Sequence, residues 1–144
     1  MKRLLALLLF LGFSLFSLGC SEEVSPISFG RDLSCFLEGY LCYTSQNPEE
    51  YLGDPVEDIL GVVGYGGEYV LFLYPHPATP YEVLILGATA DEALDYSERA
   101  HRRAGHLMGL GEGECFVLYC SHLFVYALVP DADELKGLAE DLAA

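Results

Sequence analysis

The first twenty residues, MKRLLALLLFLGFSLFSLGC, set the conditions under which the rest of this chain folds. Lys2 and Arg3 give a positive start. Leu4 to Leu18 is a run of fifteen residues without a charge, interrupted only by Gly12, Ser14 and Ser17. Gly19 and Cys20 follow, and then at once the polar Ser21-Glu22-Glu23. A positive start, an apolar run and a small residue at a cut site make a secretory signal peptide. A single-pass anchor is the rival reading, but the run is short of the ~20 residues that a bilayer helix needs. Residues 1–19 therefore read as a removed signal, and the remainder as a domain made for an oxidising compartment.

The segment Ser17-Leu18-Gly19-Cys20 resembles the lipobox of bacterial lipoproteins. Leu18 and Gly19 fit that pattern. Three positions before the cysteine the family usually has a branched aliphatic residue, and here Ser17 stands there. The resemblance covers residues 1–20 only. It implies that Cys20 receives a diacylglyceryl group (palmitate or a similar acyl chain) and becomes the first mature residue. It also implies an exported protein tethered to a membrane of the bacterial cell envelope, periplasmic or on the outer surface. Residues 20–29 carry Ser21-Glu22-Glu23 and Ser25-Pro26 with no apolar period, and are expected to be the tether between lipid and domain.

Residues 30–144 are of a size for one domain with a single core. With Lys2 and Arg3 removed, five basic residues face 22 acidic ones, a net charge of −17. That balance excludes nucleic-acid binding, which rests on cationic contacts to phosphate. It also repels anionic membrane surfaces and leaves a cationic protein partner open. Disorder, the other common reading of strong acidity, conflicts with the long Val/Leu/Ile/Phe/Tyr runs.

Cys35, Cys42, Cys115 and Cys120 make an even set and suggest two disulfides, of which three connectivities are possible. Cys35 and Cys42 are seven apart and would share a helix face, whereas Cys115 and Cys120 should face opposite sides of a strand. Seven helical residues rise about 10 Å, and five strand residues span about 16 Å. Bridged α-carbons lie within about 7 Å. With regular elements neither local pair closes, so cross-pairing between the first helix and the last hairpin is expected.

Along the chain, Leu33, Phe36, Leu37, Tyr40 and Leu41 recur at helical spacing within Phe29–Thr44. Ile59–Tyr65 and Glu68–Tyr74 are apolar runs on either side of Gly66-Gly67 and predict a hairpin. Tyr81–Leu86 predicts a third strand. Thr89–Met108 predicts the longest helix, with Thr89 and Glu92 as a capping box. Cys115–Tyr119 and Leu123–Val129 predict a second hairpin. Asp131 and Glu134 open a last helix with Leu135, Leu138, Ala139 and Leu142 as its stripe. The expected fold is a single α+β domain in the order α-β-β-β-α-β-β-α, with a mostly antiparallel five-stranded sheet and helices on one face.

No motif of a known catalytic or phosphate-binding type is present. His101 and His106 are five apart, whereas helical zinc pairs use a spacing of four. The sequence supports no catalytic residue, no metal site and no cofactor. A thiol or hydrolytic enzyme would need Cys120 activated by His101 or His106. A metal-binding periplasmic domain is a further alternative. Tyr65, Tyr69, Tyr74 and Tyr81 cluster about the first hairpin, and tyrosine suits recognition surfaces. The first expectation is thus a non-catalytic, lipid-anchored binding or structural module, its partner a cationic protein.

Overall fold

A computed structural model of the chain describes residues 25–46, 54–62, 65–75, 79–108 and 113–143. Residues 1–24, which hold the expected signal and Cys20, lie outside the described residues. The elements run α1 (Pro26–Leu33), a short 3-10 turn (Ser34–Phe36), β1 (Leu41–Thr44), α2 (Asp54–Leu60), β2 (Tyr69–Leu73) and β3 (Glu82–Gly87). Then follow α3 (Ala90–Met108), β4 (Glu114–Cys120), β5 (Leu123–Val129) and α4 (Ala132–Ala143). The five strands form one antiparallel sheet in the order β1-β2-β3-β5-β4. The fold is a small α+β domain, as the strand and helix patterns predict.

Helices cover both faces of this sheet, not one. Val70, Phe72, Val83, Ile85, Val125 and Ala127 point to a core closed by Phe29 and Leu33 of α1 and Leu135 and Ala139 of α4. Their neighbours Tyr69, Leu71, Leu84, Leu86, Phe124 and Tyr126 point the other way, to Val56 and Ile59 of α2 and Ala93, Tyr96 and Ala100 of α3. The physical reason is in the strands themselves. YVLFL and LFVYALV are apolar at every position, and a strand with one wet face alternates instead.

The first third of the chain differs most from expectation. Ser25 caps α1, its hydroxyl accepting from the Ser28 amide at 3.1 Å, and Pro26 takes the first helical turn, where its missing amide costs nothing. Residues 26–29 of the expected tether thus belong to the folded domain, and Phe29 is fully buried. Gly30 lets α1 sit on the sheet, since a β-carbon there would lie 2.9 Å from Val70 Cγ1. Gly39, at φ +90°, reverses the chain so that Leu41–Thr44 becomes an edge strand instead of a helix end. Ile59 and Leu60 finish α2 and pack on α3; they are not the strand of a Gly66-Gly67 hairpin. The last four elements stand where the sequence places them.

The four described cysteines are free, so the expected disulfides are not formed. Cross-pairing fails for Cys42 on geometry. It lies on edge strand β1, whereas Cys115 and Cys120 lie on the opposite edge strand β4. Four strand spacings separate those edges by about 19 Å, far beyond the ~7 Å reach of a disulfide.

Candidate functional site

The α3 start is fixed by the capping box. The Glu92 amide donates to Thr89 Oγ1 at 3.3 Å, and the Thr89 amide donates to Glu92 Oε1 at 3.4 Å. Tyr96 donates its hydroxyl to Glu92 Oε2 at 2.9 Å. These bonds, that of Tyr96 first, hold the Glu92 carboxyl below the usual carboxylate range. Burial, with the Glu92 bond adding to it, pushes Tyr96 up to about 12.

The helix so anchored presents His101 and His106 to solvent, above the face that carries α2. Cys120 packs on the other face, with its sulfur 4.0 Å from the Ala143 carbonyl near the end of α4. The sheet therefore separates the thiol from both helix histidines, and the constellation of a thiol enzyme is not assembled. His122 sits in the β4–β5 turn, exposed, with Nδ1 3.5 Å from the Tyr119 hydroxyl. Among the described residues no three His, Cys, Asp or Glu side chains converge as a metal set.

The most concentrated polar chemistry is buried and structural. Glu82, on the α3 side of β3, is 3 % exposed. Arg103 of α3 grips it with two parallel bonds, from Nε to Oε2 at 2.6 Å and from Nη2 to Oε1 at 2.9 Å. Arg103 Nη1 also donates to Asp58 of α2 at 3.3 Å. Burial works against the guanidinium charge, but the Glu82 carboxylate more than offsets it and holds Arg103 protonated. The Tyr126 hydroxyl is buried beside them, against the Glu82 carboxylate. Burial, then the Glu82 charge, raises it far above the ordinary phenol range. The same two causes push the Cys115 thiol from 9.0 to about 11.

These shifts set an alkaline limit to stability. A group whose folded pKa is raised binds its proton more tightly when folded, so its contribution is intact below the unfolded value and lost as pH rises through the folded one. Stability should hold up to pH near 9, then fall between 9 and 12 as Cys115, Tyr96 and Tyr40 are forced to ionise. Urea melts followed by far-UV circular dichroism check this. In the folded protein Cys35 and Cys42 should react with a chromogenic disulfide reagent well before Cys115. A Cys115 that reacts as fast as Cys35 would contradict the burial argument.

The four tyrosines divide between the two ends of the sheet. Tyr65 and Tyr69 stand at one end, 6.3 Å apart between ring centroids, with Tyr69 buried. Tyr74 and Tyr81 stand at the other, 5.9 Å apart and edge to face. Tyr40 joins the second pair, its ring 5.2 Å from Tyr74. Burial first, then Tyr81 and Tyr74, push it up to about 12. Helical spacing counts Tyr40 in a stripe that Gly39 breaks, so the pattern does not set it beside Tyr74.

Tyr40 opens onto a groove of about 610 Å³ between the 3-10 turn and α4. Phe36, Leu37, Leu135 and Leu138 supply the apolar lining, and Val129 and Pro130 close one end. Asp131, Asp133, Glu134 and Asp141 also line it, and among the described residues no basic side chain does. Asp131 is partly spent as the α4 cap, accepting from the Glu134 amide at 3.3 Å.

Comparison with known protein families, with curated proteins and with solved structures finds no match.

A second recess of about 600 Å³ lies at the other end of the sheet, among Ser25, Tyr65, Glu68, Thr89, Glu92 and His122. Its polar groups are largely engaged with one another. Glu68 Oε1 accepts from the Ile27 amide at 3.0 Å, and Glu92 is held by its cap. The groove at the Tyr40 end is the candidate site, since its apolar lining is open and its carboxylates face solvent. Among the described residues no helix is long and apolar enough to cross a membrane.

Proposed function

We propose that this chain is an exported, lipid-anchored, non-catalytic binding module of the cell envelope, and that the groove between the 3-10 turn and α4 is its recognition surface. The observation that carries the reading is the groove itself, an apolar floor with a wholly acidic lining. Its volume falls within the ~300–1,000 Å³ of ordinary ligand sites.

The position of the groove suits a tethered module. The chain enters the domain at Ser25, beside the β4–β5 turn, and the groove lies at the opposite end of β5. Five residues from Cys20 to Ser25 reach at most about 18 Å. A lipid on Cys20 therefore holds the Ser25 end near the bilayer and directs the groove away from it.

One experiment tests both halves. A photoreactive amino acid is placed at Phe36, and in a control at Leu94, which is 71 % exposed on α3. Cells are irradiated and the protein is weighed intact. The expected product starts at Cys20 with a diacylglyceryl adduct and carries a cross-linked mass at position 36 but not at 94. A mature chain that starts elsewhere without lipid would refute the tether. Equal cross-linking at the two positions would refute the groove.

A further inference from the structure

We infer that the occupant of this groove is a cationic amphipathic segment of another protein, whose apolar residues seat on Phe36, Leu135 and Leu138 and whose Arg or Lys side chains meet the acidic lining and the Tyr40–Tyr74–Tyr81 cluster. This deepens the reading of the groove as a recognition surface and rests on it.

Charge selects the occupant first. Among the described residues four carboxylates and no cation line the groove, and the whole chain nets −15. A second copy of the chain would bring its own acidic rim to the contact, where like charges brought together cost several kcal/mol. An anionic lipid surface is repelled for the same reason. A basic segment is attracted, steered over distances of a Debye length and fixed in register by specific carboxylates.

Extent selects a polypeptide over a small cation. Phe36 is 57 % exposed and Tyr74 39 % exposed, two of the five large apolar side chains left exposed among the described residues. Both flank Tyr40, Phe36 in the groove wall and Tyr74 by ring contact. A small ligand in the groove would leave Tyr74, which is not part of its lining, wet. An elongated one that runs from α4 across Tyr40 to Tyr74 covers both rings and places a cation against an aromatic face, a favourable pairing within about 6 Å of the ring. Tyr81, the residue before β3, backs that face with its ring edge-on to Tyr74. Groove-bound helices of this kind use apolar anchors at i, i+3/i+4 and i+7.

The test uses the mature chain from Cys20 in phosphatidylcholine nanodiscs, with empty nanodiscs as the blank. Three synthetic peptides of about fifteen residues share one helical Leu pattern and carry Arg, Gln or Glu on the polar face. Binding is measured by calorimetry and located by amide chemical shifts. The Arg peptide should bind, move the Leu37, Gly137 and Leu138 amides and weaken as salt rises. Phe36→Ser, an exposed change that leaves the core intact, should weaken it about tenfold or more. Asp133→Asn with Glu134→Gln should weaken it severalfold without changing the fold. An Arg peptide that binds Phe36→Ser unchanged overturns the inference, as does a Glu or Gln peptide that binds the groove as tightly. In that last case the groove still stands as a recognition surface. If none of the three moves a groove amide, that reading falls as well.

Discussion

Replacement of Arg103 by alanine should destabilise the domain by about 3–5 kcal/mol, because it leaves the Glu82 carboxylate buried without its partner. The two bonds at 2.6 and 2.9 Å are the link between α3 and the central strand β3. With Arg103 14 % and Glu82 5 % exposed at the side chain, water does little to replace a lost partner. The Asp58 arm differs. Its side chain is 56 % exposed, so Asp58→Asn should cost no more than about 1 kcal/mol. The double variant Glu82→Leu/Arg103→Leu should come out near wild type or above it, since a well-packed apolar pair avoids the desolvation that the ion pair incurs. The chain has no tryptophan, so urea melts are followed by far-UV circular dichroism and the four states closed into a cycle. A loss below about 1 kcal/mol for Arg103→Ala would mean that water reaches Glu82 and that the pair is not the pin it is argued to be.

The buried pair also shows where the sequence is readable and where it is not. Glu82 opens an apolar run, and nothing local marks a carboxylate at the start of a strand as buried. Its partner is 21 residues away on a helix whose i,i+4 pattern offers Arg99 and Arg102 to nearby acids instead. The Asp95–Arg99 pair does form, at 3.4 Å. Arg103 turns inward because it falls one position before the buried Ala104. Long-range pairing of this kind is set by how two elements pack, not by either one alone.

Local rules held where local physics decides. The Thr89/Glu92 box and the Asp131 cap start α3 and α4, and the Ser121-His122 turn joins β4 to β5. They failed between residues 26 and 65, where tertiary contacts overrode pattern. Leu33, Phe36, Leu37, Tyr40 and Leu41 hold helical spacing, yet one positive-φ glycine, Gly39, divides them between a helix, a turn and an edge strand. Ile59 and Leu60 resemble a strand but are the buried end of α2, closed by Gly61 at φ +74°. The unbroken apolar runs carry the two-sided burial of the sheet, although the expected fold set the helices on one face only. The groove was not, because its walls come from residues 36–40 and 129–141, about 90 positions apart in the chain. Three of its acids look like ordinary capping and surface residues of α4 until Phe36 and Tyr40 are set opposite them.

Phe29→Ala should cost about 3–5 kcal/mol, as much as a truncation in the middle of a core. Sequence alone places Phe29 at the end of a tether, where its loss would cost nothing. In the fold it is 1 % exposed and packs with Leu33, Phe72 and Ile85 beneath α1. Gly30 brings that helix down onto Val70, so the space behind Phe29 cannot collapse by a shift of α1 alone. Two chains separate the readings. One that starts at Ser25 should fold as stably as one that starts at Cys20, since it keeps the Ser25 cap and Pro26. One that starts at Gly30 should be unfolded or nearly so at 25 °C, because that loss is comparable with the ~5–15 kcal/mol net stability of a typical domain. If the Gly30 chain melts like the Ser25 chain, α1 is an ornament on the sheet. The groove would then lose its support as well, since Phe36 and Leu37 are held in place by the helix that precedes them.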